Sequence, residues 1–172
     1  MASSFQGVFQ TAGIFTPTAT ETQKANYSEI YDNHCHRIYS LAFWMTDHEL
    51  AAEELSANTF LRAFASKAEP NAEDIDRAFL NEIREITPVG VLQLNCKVST
   101  EISKVRGNTK RVHLERAVVQ LPATEKLIFL LHDVEGYDHH KISRLLGITH
   151  EESQFGLHQA RVQVRELVSK MV

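Results

Sequence analysis

Two stretches of this chain carry residue types that could do chemistry, and they point to different kinds. From Asp138 to Lys170 the sequence DHHKISRLLGITHEESQFGLHQARVQVRELVSK reads as two helices joined by a very short turn, the form of a helix-turn-helix. Ile142, Leu145 and Leu146 put apolar groups on one side of a short first helix, and Gly147 can leave that helix through a positive φ without strain. Thr149 with Glu152 forms a capping box at the start of the second helix, along which Leu157, Arg161, Val164 and Val168 recur at helical spacing. A helix entered so soon after another has ended is how DNA-binding proteins present side chains to the major groove. The second kind of chemistry is metal ligation, for which His34, Cys35 and His36, or His139 and His140, are the candidates. Adjacent histidines point to different sides of a helix, and so do histidines two apart. The expectation is therefore surface or partly buried helix histidines and no metal site or other cofactor. Because histidine titrates near neutral pH, a pH-sensing role is the other use open to them. No nucleophile motif or phosphate-binding glycine loop is present, so the chain is not read as an enzyme.

The elements that would position the helix-turn-helix follow from periodicity. Residues 1–23, rich in Thr, Ser, Ala and Gln, read as a flexible tail that carries Phe5, Phe9 and Phe15. Residues 24–87 read as a three-helix domain. Its first helix shows one apolar face through Ile30, Ile38, Leu41 and Met45 and ends around Thr46 and Asp47. Thr46 and Glu49 then suggest a capping box for a second helix with Leu55, Thr59, Ala63 and Phe64 facing in, and Asn71 to Ile86 gives a third. Residues 88–112 read as a partly ordered linker with an extended Val89–Leu94 segment and one or two helical turns at Ser99–Val105. Residues 113–172 read as a four-helix domain. Leu114, Ala117, Val118 and Leu121 should pack inward, and the LIFLL run from Leu127 to Leu131 should be buried almost all round.

Composition sets the outer bounds. The 172 residues are 43% hydrophobic, enough for a packed core, and no apolar run approaches the ~20 residues of a membrane span. The N-terminus lacks the charged start and apolar block of a signal peptide, so a cytoplasmic location is expected. Cys35 and Cys96 lie far apart and are expected as free thiols. Charge is uneven: residues 1–88 hold 6 Lys/Arg against 13 Asp/Glu, whereas residues 89–172 hold 12 against 9. The acidic half suits a protein partner, and the basic half tolerates DNA.

The order of parts resembles the small two-domain sigma factors of bacterial RNA polymerase, the extracytoplasmic function (ECF) group of the sigma-70 family. AAEELSANTFLRAF, from Ala51, is similar to that family's polymerase-binding helix of the type D-A-E-D-L-V-Q-E-T-F-L-R-A-W. LPATEKLIFLLHDVEGYDHHKISRLLGI followed by LHQARVQVREL is similar to its L-P, apolar helix, D-x-E-G, L-G-I and L-H-x-A-R series. The resemblance implies an all-α protein of two small helical domains, a three-helix polymerase-binding domain and a four-helix domain with the helix-turn-helix last. It implies a promoter-specificity subunit whose partners are core polymerase and promoter DNA, with an anti-sigma factor as a further candidate and no membrane. On this sequence the polymerase-facing residues would be Glu53, Glu54, Asn58 and Arg62, and the DNA-facing ones Lys141, Thr149, His150, Ser153, Gln154, His158 and Arg161. Gln154 suits an adenine edge, and Ser153, His158 and Arg161 suit base or backbone. Where the family carries three cations on the recognition helix, this chain has Gln154, Gly156 and Gln159. Phe79, Leu80, Ile83 and Arg84 match the start of the family's downstream-element helix, but ITPVGVLQL replaces the basic run that follows it. The alternative is a sigma-like interaction module that binds an anti-sigma factor or polymerase without reading DNA.

Overall fold

The computed structural model describes residues 19–94 and 109–172, and every regular element among them is helical. α1 (Ala19–Thr46), α2 (Glu49–Ser66) and α3 (Ala72–Ile86) pack on one another. α4 (Arg111–Val119), α5 (Ala123–Phe129), α6 (His139–Leu146) and α7 (His150–Met171) make a second group, in which α5 runs on through one π-helical turn, Leu130–Val134. This is the all-α class that periodicity predicts. Phe5, Phe9, Phe15, Cys96 and the turns expected at Ser99–Val105 lie outside the described residues. α1 begins at Ala19, so residues 19–23 belong to a helix and not to the expected tail. Ala, Glu and Gln extend a packed helix at little free-energy cost, and extension adds one hydrogen bond per residue once the nucleus exists. No helix among the described residues is long and apolar enough to cross a membrane.

Most helix ends are fixed by the side chains the sequence marks. The Asn71 side chain accepts from Asp74 N and the Asp74 carboxylate from Asn71 N, both at 2.9 Å, closing a capping box on α3. Thr149 Oγ1 accepts from Glu152 N at 3.0 Å and Glu152 Oε2 accepts from Thr149 N at 2.8 Å, closing the expected box on α7. The box expected at Thr46 and Glu49 is replaced. Thr46 Oγ1 donates back to Ala42 O at 2.9 Å, and His48 caps α2 by accepting from Ala51 N at 3.3 Å. The one-residue reversal at Asp47, with φ of 51°, leaves Thr46 on α1 and makes His48 the entry residue. Gly147, at φ 71°, ends α6, and the amides of Gly147 and Ile148 both reach Ser143 O.

The buried apolar side chains form one connected cluster running through both helical groups. α1 and α2 contribute Ile38, Leu41, Leu55 and Phe60; α3 contributes Ile75, Phe79, Leu80 and Ile83. Leu127, Ile128, Leu130 and Leu131 are buried as the LIFLL run requires, and Phe129 is partly so. Leu114 departs from expectation at 45% exposure. It sits with the exposed Arg111 and Val112 in the first turn of α4, and only Ala117, Val118 and the following Leu121 reach the core.

A buried polar clasp holds the two groups together. Asp76, on α3 and 3% exposed, accepts from Arg37 Nη1 of α1 at 2.7 Å and from the Tyr137 hydroxyl at 2.8 Å. Lys141 Nζ of α6 lies 3.2 Å from Asp76 Oδ2 and 3.3 Å from the centre of the Tyr137 ring. Arg37 also donates to the Tyr137 hydroxyl at 3.0 Å. Burial, then the Asp76 charge, raises the Tyr137 pKa far above its ordinary value, so the phenol stays a donor. Beside the clasp, Arg84 Nη2 donates to the carbonyls of Leu145 and Leu146 at 3.2 and 3.3 Å, occupying the exposed end of α6. Asp76→Ala should lower the free energy of unfolding by about 2 kcal/mol, because it leaves Arg37 without its carboxylate, and Tyr137→Phe by about 1 kcal/mol. Urea denaturation of the full chain measures both.

Candidate functional site

α6, the turn at Gly147 to Thr149 and α7 build the helix-turn-helix that the sequence predicts, and the phase of α7 decides which side chains it offers. Glu151, Gln154, Phe155, His158, Arg161 and Arg165 are exposed along one side of α7. Ser153, Gly156, Leu157, Ala160 and Val164 face inward, as one turn in 3.6 residues dictates. Of the residues expected to meet DNA, Gln154 and His158 lie free on the exposed side. Thr149 is the α7 cap, and Ser153 is fully buried with its hydroxyl 2.9 Å from His139 Nδ1. His150 is half-buried, and its Nδ1 lies inside without a hydrogen-bond partner. Lys141 is held in the Asp76 clasp. Arg161 makes a two-pronged pair with Asp133, Nε at 3.0 Å and Nη2 at 2.6 Å, which raises the pKa of the guanidinium further.

Two of the three lost cations are not lost from the exposed face. Gln159 is 3% exposed, and Gly156 packs inside, where an added Cβ would sit 2.6 Å from Ile128 Cδ1 and 2.8 Å from Leu92 Cδ2. Matching this helix to a family pattern by position carries no information about helical phase. Of the three, only Gln154 sits on the exposed side. Phe155, 49% exposed, is the side chain there that residue-type reasoning passed over, because an aromatic at helical spacing is usually core.

On α2, Glu53 and Glu54 are exposed and Asn58 is half-buried, with Leu50 and Leu61 at 70% and 68% exposure on the same helix. Arg62 is tied down by Glu82 and Glu85 of α3, both within ion-pair distance, and the Glu82 contact first of all raises its pKa. At the end of α3, Phe79, Leu80 and Ile83 belong to the core, so Arg84 alone of that matched set has a polar group to offer, and it is spent on α6.

Comparison with known proteins bears on this arrangement directly. The family described as Sigma-70, region 4 matches residues 111–164, the stretch from the start of α4 through most of α7. The chain is also similar to the ECF RNA polymerase sigma factor SigE of Mycolicibacterium smegmatis, 22% identical over an alignment that covers 91% of this chain and 67% of the relative. The second helical group thus matches a sigma-70 region 4 domain, and the chain as a whole is similar to an ECF sigma factor. Both similarities are to regulatory proteins of transcription initiation.

A group of histidines lies at the mouth of the helix-turn-helix. The rings of His132 and His139 stack with centroids 4.7 Å apart, and His150 lies 5.7 Å from His139 and 4.3 Å from His140. His139 and His140 do sit on different sides of α6, yet both reach His150. The cluster is invisible in sequence because its members come from the π-helical turn, α6 and α7. Among the described residues no group of three metal-ligating side chains is arranged to hold a metal ion. Burial lowers the pKa of His139, and the neighbouring His132, His150 and Arg161 lower it further, against a smaller opposing effect of Asp138. Burial pushes the Asp133 carboxyl up, but Arg161 and then His132 bring it below its ordinary value.

The sign of the pH effect follows. Folding favours neutral His139, so the unfolded chain takes up its proton first, at its ordinary pKa of 6.5. The stability it contributes is complete above that pH and is lost as pH falls from there through the lower folded value. Thermal melting should therefore show a Tm that drops between pH 7.5 and 5, and His139→Gln should flatten that drop.

Proposed function

We propose that this chain is a sigma factor of the ECF type and reads the upstream promoter element with the exposed side of α7, through Gln154, Phe155, His158 and Arg165. Lys141 and Arg161 join once phosphate displaces Asp76 and Asp133 from them. Thr149, His150 and Ser153 then act by capping and orienting α7 and not by touching bases. The observation that carries this reading is the single exposed stripe of polar and aromatic side chains on a capped helix entered directly from α6. Amide, imidazole and guanidinium groups on such a stripe match the donors and acceptors of base edges and phosphates, and Phe155 matches a thymine methyl. In this reading residues 24–87 are the polymerase-binding domain, residues 113–172 the region 4 domain, residues 1–23 a tail and residues 88–112 the connection.

Core polymerase would meet α2 on Glu53, Glu54 and Asn58, with the exposed Leu50 and Leu61 supplying apolar area, and Arg62 would stiffen this face by bridging to α3. An anti-sigma factor would act by covering the same face, and work on bacterial promoters puts the protein in the cytoplasm. The reading in which the chain binds proteins without reading DNA draws on one observation: Lys141, Arg161 and Arg84 are all engaged inside the molecule.

Selection of promoter fragments from random DNA by the full chain with core polymerase separates the two readings. A recovered upstream motif supports the first, and polymerase association with no recovered motif supports the second. Gln154→Ala and His158→Ala should each weaken binding to the selected motif by roughly 5- to 100-fold. The Glu53→Lys and Glu54→Lys pair should weaken core association by about tenfold or more without changing the melting profile.

A further inference from the structure

Between α3 and α4 the chain does not simply cross from one helical group to the other. Residues 89–94 bend at Gly90 and Val91 and then run along the second group, against α5 and α7. Gly90 N donates to Thr124 Oγ1 at 3.2 Å, and Gln93 N and Leu94 N both donate to Glu125 Oε1, at 2.5 and 2.6 Å. Glu125 is 0% exposed, and its Oε2 is buried without a hydrogen-bond partner. Leu92 enters the notch that Gly156 leaves open opposite Ile128. Gly90, at φ 106°, passes Leu146 O so closely that a Cβ would approach it to 3.1 Å. A glycine inside a helix destabilises it by roughly 1 kcal/mol, and a buried carboxylate with one unpartnered oxygen is unfavourable as well. Both features are accounted for by the segment they hold.

We propose that α5 and α7 carry a binding site for an extended peptide, that Val89–Leu94 is its resident ligand, and that occupancy sets how far the two helical groups can part. The ligand it takes is an apolar side chain followed by two consecutive free backbone amides. While the strap is docked, Thr87 and Pro88 are the only residues between the end of α3 and the second group, a reach of about 14 Å from Ile86 to Gly90 even when fully extended. Once the strap leaves, Thr87 to Leu94 all join the tether, and that stretch alone can reach about 30 Å from Ile86. Leaving strips Glu125 of both its donors and takes Leu92 out of its notch, so the strap is held as a latch and not as a loose crossing. The Asp76 clasp and the strap are thus two separate restraints. The clasp, with the shared apolar cluster and Arg84, sets whether the groups touch, and the strap sets the limit of their separation. The geometry of the strap stands apart from the promoter reading; only its use, fixing the span between a polymerase-bound and a DNA-bound surface, rests on it.

Spin labels at Ala65→Cys and Ser169→Cys in the full chain, with Cys35 and Cys96 replaced by Ser, read the separation by double electron–electron resonance. Asp76→Ala alone should leave one short distance, because the strap still restrains the groups. Asp76→Ala with Leu92→Ser, a change confined to the strap, should add a population longer by about 15 Å or more. Long distances from Asp76→Ala alone, or none from the double variant, would overturn the proposal. Hydrogen exchange of the unaltered protein gives an independent check. The Gln93 and Leu94 amides should be protected at least ~100-fold, and Leu92→Ser should reduce that protection by roughly tenfold. Exchange of the two amides at free-peptide rates in the unaltered chain would refute the docked strap outright.

Discussion

A buried carboxylate must be answered, and in this protein the answer to Asp76 comes from three elements at once. Arg37 arrives from α1, Tyr137 from the segment after the π-helical turn, and Lys141 from α6. None of the three can withdraw without leaving a buried carboxylate, 3% exposed, short of a partner, which is unfavourable. The position of the helix-turn-helix relative to the first three helices depends on this group. The single extra residue of the π-helical turn matters for the same reason: Tyr137 N reaches back to Leu131 O, which seats the ring next to Lys141. The apolar cluster supplies most of the stability. The clasp supplies the register in which the two groups meet.

Much of this was legible in the sequence, and for local reasons. Thr149 with Glu152 and Gly147 each act within one helical turn, so residue type and spacing settle them, whereas Thr46 with Glu49 has the same spacing and loses to His48 because the chain reverses at Asp47. The burial of Leu127 to Leu131 follows from five apolar residues that no amphipathic surface could accommodate. What escaped is what depends on neighbours distant in sequence. Asp76 reads as an ordinary surface acid on α3 until Tyr137 and Lys141 are brought to it. Glu125 reads as an exposed residue in the first turn of α5 until the amides of Gln93 and Leu94 cover it. The four histidines belong to three elements and have no common spacing. Gly156 and Gln159 were misread for another reason: alignment by position treated as outward two residues that the helical phase turns inward.

The site was legible in the same proportion. The helix that carries the candidate site follows from pattern, and Gln154 and His158, named by the resemblance, are exposed on it. The engagement of Lys141 and Arg161 does not, since nothing near them in sequence identifies Asp76 or Asp133 as their partners. On α2, likewise, Glu53 and Glu54 are exposed as their spacing suggests, whereas Arg62 is taken up by carboxylates of the next helix.

The pairing of Lys141 with Asp76 and of Arg161 with Asp133 has a further consequence for how binding to DNA would be measured. A lysine or arginine that is free in solution releases a condensed cation from DNA when it meets a phosphate, and the steepness of the salt dependence reports the number of such contacts at ~0.9 per phosphate. A cation already neutralised by a carboxylate exchanges one anion for another, and the carboxylate it abandons must then recruit a cation of its own from solution. Each such exchange takes back what the new contact releases. On the proposed reading, the salt dependence of promoter binding would therefore undercount the phosphates this protein touches, by about one for each of these two side chains.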